Sequence, residues 1–569
     1  MNIDNLYNLW LEKATEDNEI TKELESIKGN ESEINDRFWR GLEFGTGGIR
    51  GVIGAGTNRM NIYTVGRATQ GIADYINSVT DKGSVAISYD SRINSTLFAK
   101  TAASVFAANG IKVYIYKELM PVPALSFATR YLSCSAGAMI TASHNPSKYN
   151  GYKVYGPDGC QLSLEASEKV LGYIENIDFF TGIKKIDFEQ GIESGIIEYI
   201  SDEVIENYLQ NVQNQALSPD ACENTDLKVV YTPLCGAGNK PVREILKRIG
   251  IKSVSVVAEQ EKPDGSFPGA PYPNPEIREA FTLALKLADE VKPDLLLATD
   301  PDCDRVGIAV NNNGNFILMS GNEVGALMLN YCLERRKALG RMPKNPVAIK
   351  TIVSTDLCCK IAEDYGCEVI NVLTGFKFIG EQIAILEQKG KEDRYVFGFE
   401  ESYGYLAGTY VRDKDGVLAS MLICEMAAFY KQNGMTLLDA YRSIEQKYGV
   451  FKNSQNSYTF EGQEGMEKMQ QIMKNLRNTP EYIADYKVAA VLDYKESIKT
   501  DLVSGEKTEI KLPKSDVITY VLENGSTAIV RPSGTEPKVK LYLSTTAKTS
   551  EEALKISEKL KNAMEQLLK

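Results

Sequence analysis

Apolar residues near the start of the chain recur at spacings of three and four: Leu6, Leu9 and Trp10, then Ile20, Leu24 and Ile27. That period matches the turn of an α-helix, so the pattern predicts two amphipathic helices, a lead-in over residues 1 to about 40 packed on a first domain. Beyond it the pattern changes. Short β-branched runs at 84–89, 111–116, 227–231, 295–298 and 348–353 alternate with longer helical stretches. Such alternation predicts α/β layers with mostly parallel sheets. The tail reads differently. Runs at 517–522, 527–530 and 539–544 follow one another as strands, and Ala553, Ile556, Leu560, Ala563 and Leu567 line one face of a closing helix. Thr549 and Glu552 have the spacing of a capping box at its start. This last unit is α+β rather than α/β.

Polar or charged connections, such as 213–225 and 452–463, set boundaries near residues 205, 315 and 450. The predicted domains are therefore 1–205, 206–315, 316–450 and 451–569, and a length of 569 residues suits that number at roughly 150 residues per domain. No internal repeat in the sequence is strong enough to count. Apolar content of 43% and charged content of 25% are ordinary for a globular protein. A net charge of −12, from 64 Lys+Arg against 76 Asp+Glu, argues against a general polyanion binder, so nucleic acid is not an expected partner. Any bound phosphate must be held by local basic residues. Residues 1–17 carry acidic side chains where a signal peptide carries basic ones, and no run of about 18 apolar residues occurs, so no membrane partner is expected. Ten cysteines without a Cys-x-x-Cys pair suggest neither a disulfide framework nor a zinc ribbon, and a reducing, cytoplasmic setting fits. No obligate protein partner is implied.

The chain contains one histidine, His144, which excludes any centre needing two imidazoles. The chemistry must come from hydroxyls, carboxylates, lysines and arginines. Four loops, each after or between short apolar strands, offer them, and in open α/β sheets ligands bind beyond the carboxyl ends of strands. The first runs from Ser143 to Lys153, after 136–140, and includes a Tyr149-Asn150-Gly151-Tyr152-Lys153 turn. Ser143 lacks the Gly-x-Ser-x-Gly setting of a hydrolase elbow, and in an extended backbone His144 would point to the opposite face. A serine that carries a phosphoryl group needs no such base; the bland alternative is a polar turn.

The second loop is Asp300-Pro301-Asp302-Cys303-Asp304-Arg305. Carboxylates at alternate positions of an extended loop turn the same way and suit a hard divalent cation. An EF-hand is excluded, because Arg305 and Asn311 stand where that loop needs glycine and glutamate. Three carboxylates leave coordination positions for a substrate oxygen, the usual manner of magnesium. The third loop, Gly398-Phe399-Glu400-Glu401-Ser402-Tyr403-Gly404, pairs carboxylates with a hydroxyl between glycines, suited to vicinal sugar hydroxyls. Thr374-Gly375-Phe376-Lys377 and Arg412-Asp413-Lys414 flank it with cations. The fourth, Arg531-Pro532-Ser533-Gly534-Thr535-Glu536-Pro537, combines a bidentate arginine with the makings of an anion nest. Neither a P-loop nor a Gly-x-Gly-x-x-Gly fingerprint is present, so nucleotide cofactors are not indicated.

Together, and with Phe44-Gly45-Thr46-Gly47-Gly48-Ile49-Arg50-Gly51 preceding them, the loops resemble the α-D-phosphohexomutase superfamily, in its phosphoglucomutase branch. The resemblance implies a four-domain, heart-shaped architecture: three similar α/β domains and a C-terminal α+β domain around a central cleft, one loop from each. It implies that Ser143 is a phosphoserine, and that Asp300, Asp302 and Asp304 hold one Mg²⁺ with a phosphoserine oxygen. Glu400 and Ser402 would grip the sugar hydroxyls, with Thr374, Gly375 and Lys377 beside them. Arg531, Ser533, Gly534 and Thr535 would bind the phosphate that is not reacting. Arg50 and Arg305 match family arginines near the phosphoserine and metal.

The implied reaction interconverts α-D-glucose 1-phosphate and glucose 6-phosphate, with glucose 1,6-bisphosphate as intermediate and activator. Lys153, Lys414 and His144 match the positions of candidate proton-transfer groups, and the sequence does not choose among them. One departure is Cys235, where many members carry histidine. Phosphomannomutase and phosphopentomutase are alternatives within the family. A metal-dependent sugar-phosphate phosphatase and a non-catalytic sugar-phosphate sensor are alternatives outside it.

Overall fold

Three helices, Ile3–Lys13, Asn18–Ser26 and Glu31–Phe38, form the lead-in, one more than the apolar spacing predicts. The third is hard to read from periodicity because only Ile34 and Phe38 in it are apolar; its mark is the cap Asn30, whose side chain accepts the Glu33 N–H. Tyr7, Trp10, Leu24, Ile34 and Phe38 close on Ala55 and Tyr63, which seats the lead-in on the first domain. This computed structural model describes residues 2–45, 47–460, 462–533 and 538–568. The chain folds as two units: Met1–Ser320 with Gly380–Tyr395 and Ser402–Thr436, and Gly321–Ile379 with Val396–Glu401 and Leu437–Lys569.

The first unit holds two sheets. One contains β1 (Gly48–Val52), β2 (Ser84–Tyr89), β3 (Lys112–Ile115), β4 (Ala136–Ile140), β5 (Tyr149–Tyr155) and β6 (Ile197–Tyr199), in the order β1-β5-β4-β2-β3-β6. Strands β2, β3, β4 and β6 run parallel, and β5 is antiparallel to both β4 and β1. Residues 149–153 are thus a strand and not the turn that Asn150-Gly151 suggests. The Asn150 side chain is spent on Ile93 O and Ser95 Oγ, while Gly151 lies so close to its neighbours that a Cβ there would meet Thr141 O at 2.5 Å. The glycine serves a close backbone approach, not a bend.

The second sheet contains β7 (Lys228–Thr232), β8 (Ser253–Val256), β9 (Leu295–Thr299), β10 (Val306–Asn312) and β11 (Asn315–Met319), in the order β11-β10-β9-β7-β8. Its parallel β8-β7-β9 core with antiparallel β10 repeats the β3-β2-β4 core with antiparallel β5. A repeat that is silent in the residues is therefore plain in the topology. The serine loop joins β4 to β5 and the aspartate loop joins β9 to β10, equivalent places in successive sheets.

Glu368–Val372, Val347–Thr351 and Tyr395–Glu400, all in the second unit but for Tyr395, lie side by side in that order, the same strand order as in the two earlier cores, and the glutamate loop leaves the third strand. The C-terminal sheet is antiparallel: Val450–Thr459 pairs Lys538–Ala547, which pairs Thr527–Pro532, which pairs Ile518–Leu522. The helix Ser550–Leu567 covers it through Leu560 and Met564, and its cap Thr549 accepts the Glu552 N–H at 3.2 Å. Residues 452–459 belong to a strand and not to a connection. Val450–Thr459 stands at the sheet edge, where Val450 alone of its residues is buried, so its polar sequence resembles a linker.

Candidate active site

Ser143 sits at φ +52°, in the left-handed region, directly beyond β4. That conformation costs a non-glycine residue about 1–2 kcal/mol, so the surroundings must hold it. Thr141 Oγ1 accepts the Ser143 N–H at 2.8 Å and donates to Asp90 Oδ2 at 2.6 Å. Arg92 donates to the carbonyl oxygens of Ser143 and Asn145, and to those of Pro146 and Tyr149 at 2.9 and 3.0 Å. The turn also undoes the expectation that Ser143 and His144 diverge. With Ser143 left-handed rather than extended, its Oγ lies 3.1 Å from His144 Nδ1, the proton's place depending on the ring tautomer.

On its other side Ser143 Oγ donates to Asp300 Oδ2 at 2.8 Å, which joins the serine and aspartate loops. Asp300, Asp302 and Asp304 are buried, and one oxygen from each lies within 4.8 Å of the others. Asp300 Oδ1 accepts the N–H groups of Asp304 and Arg305, which folds the loop around its own first carboxylate. Asp302 Oδ1 and Asp304 Oδ1 are buried with no hydrogen-bond partner among the described residues. Inward-facing carboxylate oxygens left unsatisfied in this way are what a hard cation site requires. An all-carboxylate donor set of this kind fits a hard divalent cation.

Lysines meet the triad from two elements. Lys153 Nζ, on β5, lies 2.9 Å from Asp302 Oδ2 and 3.3 Å from Asp304 Oδ2. Lys414 Nζ lies 3.0 Å from Asp304 Oδ2 and 3.4 Å from Asp413 Oδ1, and Asp413 in turn accepts the Tyr155 hydroxyl at 2.9 Å. Burial, reinforced by Asp302 and Asp304, drives the Asp300 carboxyl well above its ordinary range. Asp304 goes the other way: burial would raise it, but Lys414, Lys153 and Arg305 hold it below. For Lys153, burial is outweighed by Asp302, Asp304 and Asp413, and the ammonium is pushed upward. Burial, then the charges of Arg305 and Arg50, keep His144 well below the usual imidazole range. Arg50, on β1, is therefore close enough to act on this site electrostatically, and Arg305 is anchored by Glu276.

In the second unit Glu400 ends its strand as a buried carboxylate, and Glu401 Oε2 accepts the Thr351 hydroxyl at 3.1 Å. The buried Tyr542 phenol is raised first by burial and then by Glu401, while Arg531 bonds to it and Glu400 adds to the rise. The glutamate and arginine loops thus share one neighbourhood. Ser533 N–H donates to Lys538 O at 2.7 Å, which closes the arginine loop at its base; Gly534 and Thr535 lie outside the described residues. Thr374 and Gly375, the latter at φ +119°, precede the helix Phe376–Gln388, and the buried Lys377 lies 5.1 Å over the Phe378 ring. Ser402 begins the segment that belongs to the first unit.

Asp90, Arg92 and Glu276 belong to none of the loops that the sequence marks out. Asp90 and Arg92 fall in an ordinary polar stretch after β2, and their partners are some fifty residues away. The sole signal is their position, since the end of a central parallel strand is where sites form. Cys235 proves a packing residue: its N–H donates to Gln260 O at 2.9 Å, and burial pushes its thiol up to about 12. Among the described residues no helix is long and apolar enough to cross a membrane.

The chain matches the phosphoglucomutase/phosphomannomutase family domain by domain: alpha/beta/alpha domain I over residues 41–181, domain II over 206–314, domain III over 320–448 and the C-terminal domain over 467–563. Over 540 residues it is 39% identical to a phosphoglucomutase of Staphylococcus saprophyticus, covering 94% of this chain and 96% of that one. Among solved structures it is similar to the open form of pp63/parafusin, a phosphoglucomutase of Paramecium, with a TM-score of 0.68 at 18% identity over 93% of this chain and 96% of that one. A phosphoglucomutase/phosphomannomutase family protein of Burkholderia thailandensis gives a TM-score of 0.66 at 17% identity, over 92% and 97% of the two chains. At such identities the solved structures speak for the fold, while the family match and the curated relative speak for descent. With four such domains in order along it, this chain belongs to the phosphoglucomutase/phosphomannomutase family.

Proposed function

We propose that this chain is a phosphoglucomutase, an isomerase that interconverts α-D-glucose 1-phosphate and glucose 6-phosphate through a phosphoryl group carried on Ser143. The observation that carries the reading is the contact of Ser143 Oγ with Asp300 Oδ2 at 2.8 Å, beside carboxylate oxygens of Asp302 and Asp304 that accept no hydrogen bond among the described residues. A serine aimed into a cation-ready cluster suits a group that gives and takes a doubly charged phosphoryl.

Asp300, Asp302 and Asp304, with an oxygen of phosphorylated Ser143, would hold one Mg²⁺ per chain. When bound, the ion would supply neutralisation of the charge on the transferring group. The chain's own residues do the rest. The phosphoryl moves from Ser143 Oγ to the 6-hydroxyl of glucose 1-phosphate, the P–O bond to serine breaking as the bond to the sugar oxygen forms, with net transfer of the 6-hydroxyl proton to the serine oxygen. Glucose 1,6-bisphosphate results. After it reorients, the other phosphoryl returns to Ser143 Oγ and leaves glucose 6-phosphate. The cycle needs two anion zones, one around Ser143 with Arg50, Lys153, Arg305 and Lys414, the other built by Arg531 and Ser533 with Gly534 and Thr535. Glu400 and Ser402 take the sugar hydroxyls, and Thr374, Gly375 and Lys377 are further substrate-binding residues. His144, whose Nδ1 lies 3.1 Å from Ser143 Oγ, is the group placed to exchange the serine proton, whereas Lys153 and Lys414 face Asp302 and Asp304.

The test is an assay of the purified protein with glucose 1-phosphate, Mg²⁺ and catalytic glucose 1,6-bisphosphate, beside the 1-phosphates of mannose and ribose. We expect glucose 6-phosphate as product, the highest kcat/KM for the glucose substrate, and little inorganic phosphate. Preference for another sugar would move the chain to a sister activity. Steady phosphate release would make it a phosphatase.

A further inference from the structure

We infer that Asp90 and Arg92 are positioning residues that hold Ser143 left-handed and aimed at Asp300, an inference that rests on Ser143 carrying the phosphoryl group. The two side chains form an ion pair, Arg92 Nε to Asp90 Oδ2 at 3.3 Å, and both are 0% exposed. Asp90 follows β2, the strand next to β4, so the pair approaches the serine loop from a neighbouring strand end. Asp90 acts through Thr141, whose Oγ1 donates to Asp90 Oδ2 at 2.6 Å and accepts the Ser143 N–H at 2.8 Å. Arg92 takes the other end, donating to the Ser143 carbonyl and to those of Asn145, Pro146 and Tyr149. Both backbone polar groups of Ser143 are therefore tied to one buried ion pair.

The pair is itself fixed. Asp90 Oδ1 accepts the Ser95 hydroxyl at 2.7 Å and the Arg92 N–H at 2.9 Å, and the guanidinium carbon lies 4.9 Å from the centre of the Phe267 ring. A planar fork can reach carbonyls spread along a loop, which a lysine ammonium on a flexible stem cannot. A φ of +52° relaxes to the ordinary region unless the surroundings over-determine it, and these bonds supply that constraint. The consequence concerns rate, because misplacing a reacting atom by about 1 Å costs roughly 10²-fold.

The experiment compares full-length wild type, Arg92→Met, Arg92→Lys and Thr141→Val, each first shown folded by its melting transition. Phosphorylation of Ser143 by glucose 1,6-bisphosphate is followed by mass in single-turnover mixing. In Arg92→Met we expect the rate per folded molecule and kcat to fall together by at least about tenfold, with KM for glucose 1-phosphate within about threefold. Arg92→Lys should recover only part, and a crystal structure of Arg92→Met should show Ser143 outside the left-handed region. A folded Arg92→Met with wild-type rate and wild-type Ser143 backbone overturns the inference. Should Arg92→Met fail to fold, Thr141→Val, which cuts only the Asp90 link, is held to the same two readings. Absence of phosphoserine in the wild type would instead defeat the proposed function, and the Ser143 backbone in the variant crystals would still decide the positioning role.

Discussion

Ser143 Oγ and Asp300 Oδ2 stand 2.8 Å apart although 157 residues separate them in the chain. Each residue lies just beyond the same strand of a repeated sheet, β4 in one and β9 in the next. The fold therefore brings the Ser143 hydroxyl to the aspartate cluster by repeating one strand arrangement.

Removal of the cation should silence the enzyme. Chelation is expected to abolish turnover and added Mg²⁺ to restore it. Asp302→Asn, which removes one charge from a buried cluster, should weaken cation binding enough to raise the Mg²⁺ concentration for half-activation at least about tenfold. Titration of Mg²⁺ against rate, and of Mn²⁺ by its electron paramagnetic resonance signal, checks both.

Lys153 bridges Asp302 and Asp304, and without it buried carboxylates lose a counter-charge. Lys153→Met should slow kcat at least about tenfold, within the range for loss of a positioned charge or proton-transfer group. His144→Gln should slow it too, through the Ser143 proton. If only the histidine change leaves kcat untouched, the serine proton leaves by another route. Steady-state kinetics on the two variants and their double decides, since groups acting on one step are non-additive.

Gly151 lies between strands, and a Cβ there would meet Thr141 O at 2.5 Å and Ile49 O at 3.0 Å. Gly151→Ala must push backbone apart beneath the serine loop. We expect a cost of about 1–3 kcal/mol, read as a lowered Tm, and a loss of activity larger than the loss of folded protein.

Asp415 caps the buried helix Gly416–Gln432 and accepts the hydroxyls of Tyr208 and Tyr410. Burial raises its carboxyl from 3.8 to about 6, against the bonds from Leu418 N–H and the tyrosines. Between those pH values the folded state binds the extra proton, so this group's contribution to stability is complete below the lower value and is lost as pH rises through the upper. Relative to wild type, Asp415→Asn should gain up to about 3 kcal/mol between pH 4 and pH 7. The difference in Tm between the two proteins across that window measures it, and a flat difference contradicts it.

The aspartate loop is legible in sequence because its carboxylates alternate within five residues after an apolar run, so local geometry alone brings them together. The predicted strands at 84–89, 227–231 and 295–298 appear for the same reason, being short and apolar on both faces. What escapes is non-local or conformational. The Asp90 and Arg92 clamp acts some fifty residues away. The nearness of His144 to Ser143 depends on a positive φ that serine does not advertise, and Lys153 sits on a strand because Asn150-Gly151 answers to packing rather than to a bend. Val450–Thr459 escapes because an edge strand needs only one partner and tolerates polar residues.

The most direct measurement is the mass of the active enzyme after brief incubation with glucose 1,6-bisphosphate, followed by peptide mapping and then by addition of glucose 1-phosphate. One phosphoryl group on Ser143, discharged to sugar at a rate no slower than kcat, is the expected result. Full mutase activity with that serine unmodified, or with the group on another residue, contradicts it.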